Sequence, residues 1–169
     1  MEDEKCNIYS FRFEKAEEID DATFRKTVAG LKQEMAKVRI LDCAGLDIIM
    51  VTKLYPEAAA RYDPRTRTMF FEPGEEESFL HELGHFIWRK VGKENQAQVK
   101  VEWESKKNVL SNQGVSEDDS AMLNEFADYN SWKNENEYFA DSFREYHNGT
   151  DMLKFPIVKK VLDERYKNG

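Results

Sequence analysis

Cysteine, histidine and long apolar runs are all scarce in this chain. Its 169 residues hold two cysteines and three histidines. No apolar run approaches the ~18 residues that mark a membrane-spanning helix. Cys6 and Cys43 do not demand a disulfide, and neither has the Cys/His spacing of a structural zinc site. Internal repeats, a glycine-rich phosphate loop and low-complexity tracts are also missing. Positive charge is in deficit, with Lys+Arg 25 against Asp+Glu 33, a net charge of −8 and a pI near 5.1. That balance argues against a nucleic-acid partner, weakly favours basic or neutral protein substrates, and also serves solubility. Met1-Glu2-Asp3-Glu4-Lys5 is no signal peptide, so the chain as written is expected in the cytoplasm, or outside the cell if a leader was trimmed.

What is present is a folding composition: 40% apolar residues, 12% of the chain aromatic. At 19.9 kDa this suffices for a core in a single domain, residues 1–169.

Two of the three histidines stand in one pentapeptide, His81-Glu82-Leu83-Gly84-His85, the HExxH pattern. Histidines four apart on a helix share a face, with Cβ atoms about 5–6 Å apart, so both imidazoles reach one metal ion. Glu82, off to the side, is placed to hold and deprotonate an attacking water without being a ligand. The plain alternative is an ordinary helix that happens to carry two histidines. The surrounding sequence predicts the helix over residues 72–92. Pro73 and Gly74 mark its entry, and Glu75, Glu76 and Glu77 suit the positive end of its dipole. Arg89 and Lys90 fall in the last turn, with Gly92 as C-terminal cap. Phe79, Leu80, Leu83, Phe86 and Ile87 would bury most of its circumference.

An open catalytic zinc site needs a third protein ligand. No His-x-x-Gly-x-x-His continuation follows, which excludes the metzincin arrangement, and the remaining histidine is His147. The segment Asn134–Tyr146 offers a better candidate. Tyr138, Phe139, Phe143 and Tyr146 recur at helical spacing, and Ala140 permits close helix packing. Glu137 and Asp141 share a face of that helix, as a ligand and the carboxylate that accepts the free N–H of a metal-bound histidine would. Glu135 and Glu145 read as a solvated acidic face.

These two motifs, His81–His85 and Glu137-Tyr138-Phe139-Ala140-Asp141-Ser142-Phe143, resemble the anthrax lethal factor-type gluzincins, which include the clostridial Pro-Pro endopeptidases. The likeness spans roughly residues 40–166. It implies one Zn2+ ion on His81, His85 and Glu137, with Glu82 as general base in peptide-bond hydrolysis. It also implies a tyrosine before the third ligand that stabilises the oxyanion; the counterpart is Tyr129, one residue further from Glu137 than the family spacing. A zincin-like α+β fold is expected: a small mixed sheet with the active-site helix in an N-terminal lobe (about 1–92), and a mainly helical C-terminal lobe (about 93–169) carrying Glu137. Enzymes of this type are often secreted, so a domain of a longer toxin is a further expectation.

Elsewhere, strands are predicted at 46–51, 59–62 and 66–71, the last two joined by Asp63-Pro64-Arg65, while the alternating residues 7–13 suit either a strand or a lead into the next element. A substrate peptide would add as a strand near Thr66–Phe71. Helices are predicted from Asp20 or Asp21 to about Val38, from Ser116 or Asp118 toward Tyr129, and from Pro156. Val99, Val101 and Trp103 alternate, so strand and helix compete there, and 108–119 reads as a loop. Trp132 suits a cleft wall or the core equally. A monomer is expected. Three other readings stand beside the endopeptidase: a regulatory peptidase of the ImmA/IrrE sort, a zinc-binding peptide-recognition scaffold without turnover, and an acidic helical interaction domain with a chance motif.

Overall fold

The computed structural model describes residues 5–6, 11–38, 41–42, 46–54, 60–116, 125–127 and 129–166. Among these the chain is α+β: five α-helices and a small mixed sheet. It divides into two compact units, Met1–Glu82 and Leu83–Gly169. The division falls inside one helix, whereas the sequence reading put it near residue 92.

In the first unit, β1 (Lys5–Cys6) pairs antiparallel with β3 (Leu41–Asp42). The main sheet holds β2 (Arg12–Lys15), β4 (Ile48–Val51), β5 (Ala60–Asp63) and β6 (Thr68–Phe71) in the order β2-β4-β6-β5. The first three run parallel and β5 antiparallel to β6. Register places Phe13, Ile49, Met69 and Tyr62 in one row and Lys15, Val51, Phe71 and Ala60 in another on the same face. Ile49, Val51, Met69 and Phe71 are fully buried there, the result expected when alternate residues of adjacent strands share one face. Helix α1 (Asp21–Met35) starts at Asp20, whose carboxylate accepts from Thr23 N at 2.7 Å, and buries Thr27, Leu31 and Met35. The β5–β6 turn closes through Asp63 Oδ1, which accepts from Arg65 N at 2.9 Å and is held below the usual carboxylate range chiefly by that bond.

One expectation changes here. Strand β6 is paired on both sides, so no peptide can add beside Thr66–Phe71; the outer strand on that side of the sheet is β5, Ala60–Asp63. Of the stretch 7–13, left open between strand and lead-in, Arg12 and Phe13 open strand β2, which runs on to Lys15, and residues 7–10 lie outside the described set.

A short 3-10 turn, Glu76–Ser78, runs straight into α2 (Phe79–Trp88). This helix ends earlier than predicted. Gly92, at φ 86, is the N-cap of α3 (Lys93–Asn112) rather than the C-cap of α2. The exposed end of α2 is served from α3, where Gln96 Nε2 donates to Trp88 O at 2.6 Å. The competition over residues 99–103 resolves as helix: Val99 and Leu110 are buried while Val101 is 61% and Val109 55% exposed. The loop expected from 108 therefore begins only after Asn112, and the helix expected to lead toward Tyr129 lies mostly in 117–124, outside the described residues.

The second unit also holds α4 (Glu135–His147) and α5 (Pro156–Tyr166). Glu102 on α3 ties both in: Oε2 accepts from Tyr138 OH and Oε1 from Ile157 N, each at 2.9 Å. Burial pushes the Tyr138 and Tyr166 phenols up, Tyr166 to about 12, and the Glu102 carboxylate raises Tyr138 further. Tyr146 moves the same way, through burial and then its hydrogen bond to Asp163. In an unfolded chain these phenols ionise near 10.0. Above that pH the unfolded chain sheds protons the fold keeps, so stability is expected to fall as pH rises from about 10 toward 12. Lys106, whose ammonium is desolvated and shifted down, acts in the opposite sense, but as one group against three. Urea midpoints measured from about pH 9 to about pH 11.5 should drop, and drop less steeply in Tyr138→Phe. A flat profile would contradict the burial of these phenols.

Candidate metal centre

Helix α2 separates its residues by burial. Phe79, Leu80, Leu83, Phe86 and Ile87 are buried, while His81, Glu82 and His85 are half-buried. Its i, i+4 geometry stacks His81 over His85.

The partner element is α4. Asn134 caps it, Oδ1 accepting from Glu137 N at 2.8 Å. Glu137 thus stands at the third helical position, where a carboxylate benefits from the helix dipole. Its side chain turns to His85, with Nε2 to Oε1 at 3.3 Å. The other ring nitrogen, His85 Nδ1, lies 2.7 Å from Asn136 Oδ1. Nδ1–H donating to that amide oxygen leaves Nε2 facing Glu137, the orientation imposed on metal-ligating histidines by an outer hydrogen bond.

Close helix approach makes these contacts. A Cβ added at Gly84 would lie 2.8 Å from Ala140 Cα and 3.1 Å from Ala140 O. Both are backbone atoms, so the neighbour cannot yield cheaply. Gly84→Ala would gain about 1 kcal/mol in helix propensity but lose about 1–3 kcal/mol to overpacking. We expect a lower melting temperature and weaker metal retention, because the separation of α2 and α4 sets the reach from His85 to Glu137. Unchanged melting and metal content would show that the helices are not this close.

The ligating atoms of His81, His85 and Glu137 all lie within 4.8 Å of one another, forming a possible metal-binding group. Two imidazoles and a carboxylate form a donor set that zinc takes. Ligands about 2.0–2.1 Å from a tetrahedral ion stand roughly 3.3–3.4 Å apart, and the His85–Glu137 separation of 3.3 Å matches that edge. All three are half-buried, so the group is not sealed from solvent. The residues present fit the ion.

Of the other sequence candidates, Asp141 is buried. It accepts from Ser131 Oγ at 2.7 Å and has Arg144 Nη1 at 3.7 Å. Tyr129 begins the 3-10 turn Tyr129–Trp132. His147 lies at the far end of α4, its ring packed against Phe143, Tyr146 and Tyr166. Glu145 accepts from Thr150 Oγ1 at 2.7 Å. Trp132 packs edge-on against Phe126, ring centroids 5.5 Å apart, under Lys107. Sequence reasoning passed over Asn136 and Ser131. Neither carries a periodic or motif signal, and each matters only through a partner on another element or a later turn.

No protein-family model matches the chain, and no curated protein or solved structure matches it. No helix among the described residues is long and apolar enough to cross a membrane.

Proposed function

We propose that the chain is a zinc-dependent endopeptidase of zincin-like fold, similar to the lethal factor-type gluzincins. The observation that carries this reading is the convergence of His81, His85 and Glu137, with Glu82 of the HExxH pattern beside the first of them. A zinc ion held there would polarise a scissile carbonyl and bring the pKa of a water toward ~7. His81, His85 and Glu137 hold the ion, and Asn136 fixes the tautomer of His85. Glu82 takes the proton of the attacking water and passes it to the leaving amine. The Tyr129 hydroxyl donates to the oxyanion that develops in the transition state. The outer strand β5 offers backbone groups along which an extended peptide can align.

The test is digestion of a diverse peptide library by zinc-loaded protein, read by mass spectrometry. Cuts at one consistent sequence context, lost on chelation and restored by zinc, are expected. No cuts from protein that holds one zinc would overturn the reading in favour of a binding scaffold.

A further inference from the structure

The turn Tyr129–Trp132 has only four residues. A 3-10 turn of that length makes too few internal hydrogen bonds to hold itself in place, so its position is set from outside. Ser131 supplies two fixings, beside the packing of Trp132 on Phe126. It is fully buried, its hydroxyl donates to Asp141 Oδ2 at 2.7 Å, and its carbonyl accepts from Trp103 Nε1 at 3.0 Å. One bond runs to α4 and the other to α3. The Asp141 bond is charge-assisted and buried, a class both strong and costly to leave unmade. Asp141 stands one turn beyond Glu137 on the same helix.

We propose that Ser131 is a positioning residue, clamped between Asp141 and Trp103, that fixes the turn beginning at Tyr129 relative to the helix bearing Glu137. Asp141, almost fully buried, thereby joins the helix that carries Glu137 to the turn that begins at Tyr129. What Tyr129 does from that place rests on the endopeptidase reading; that Ser131 holds it there does not.

The test uses zinc-loaded full-length chain with 3-fluorotyrosine incorporated, the Tyr129 resonance being assigned by its loss in Tyr129→Phe. Ser131→Ala should keep one zinc and shift or broaden the Tyr129 fluorine signal. Its kcat should fall about tenfold at unchanged KM, less than the ~10²-fold or more for loss of a whole oxyanion donor. In a Tyr129→Phe background that kcat loss should vanish. Trp103→Phe removes the other anchor and should give the same pattern more weakly, which keeps the test open if Ser131→Ala does not fold. An unmoved Tyr129 signal, loss of zinc, or an equal kcat loss without the Tyr129 hydroxyl would each overturn the proposal. If native protein shows no Glu82-dependent cleavage, the endopeptidase reading fails, and the fluorine signal alone decides the clamp: moved by Ser131→Ala it stands, unmoved it falls.

Discussion

Glu82→Gln is expected to keep one zinc ion per chain and lose about 10²–10⁴-fold in kcat/KM on any peptide the native protein cleaves. Glutamine matches glutamate in size and helix preference, so α2 should form as before. The possible metal-binding group comprises His81, His85 and Glu137 and does not include Glu82, so the variant should hold the ion. On the proposed endopeptidase reading, what disappears is the basic oxygen that takes a proton from water and delivers it to the leaving nitrogen. Metal analysis and peptide cleavage on the same preparation check both halves. Activity within a fewfold of native would remove Glu82 from the chemistry.

Glu137→Ala should act on the metal itself. In the proposed site the substitution removes one of three donors and the only carboxylate among them, leaving two imidazoles for a dication. Loss of an outer hydrogen-bond partner alone weakens metal sites about 10–100-fold, and loss of a ligand should exceed that. The helix should survive, because Asn134 caps α4 through the backbone N–H of residue 137, which alanine keeps. Competition with a chelator of known affinity, alongside circular dichroism, separates a lost ligand from a lost fold. Native zinc affinity in a folded Glu137→Ala chain would show that Glu137 is no ligand.

Much of the fold was legible because it is written locally. The apolar spacing of Phe79, Leu80, Leu83, Phe86 and Ile87 reports a buried helix, and all five are buried. The Asp63-Pro64-Arg65 turn and the strands either side of it follow from turn chemistry and alternation. Pairing partners do not. Nothing in Thr66–Phe71 says that β4 lies on one side and β5 on the other, so a strand that looked available for substrate is an interior one. Residues 99–103 left strand and helix open for a related reason: Val101 sits exposed on a helix, where one apolar residue too many mimics alternation. Gly92 looked like the cap that ends α2, but α2 stops at Trp88, four residues earlier, and Gly92 with its positive φ stands at the start of α3 instead.

At the centre, spacing on two helices singled out His81, His85 and Glu137, and their ligating atoms lie together. The approach of those helices was half visible, through Ala140. The other half is Gly84, inside the HExxH pattern, where the two variable positions carry no motif requirement. Asn136 and Ser131 were invisible, since short polar residues acquire a role only when folding places a ring nitrogen or a carboxylate within hydrogen-bond reach.

The most direct test of the centre is X-ray absorption at the zinc edge on protein loaded with one equivalent and dialysed. The proposed zinc site calls for one retained zinc with nitrogen and oxygen neighbours at about 2.0–2.2 Å, the scattering signature of two imidazoles, and no sulfur. Zinc that dialyses away, or a sulfur shell at about 2.3 Å, would contradict a site built from His81, His85 and Glu137.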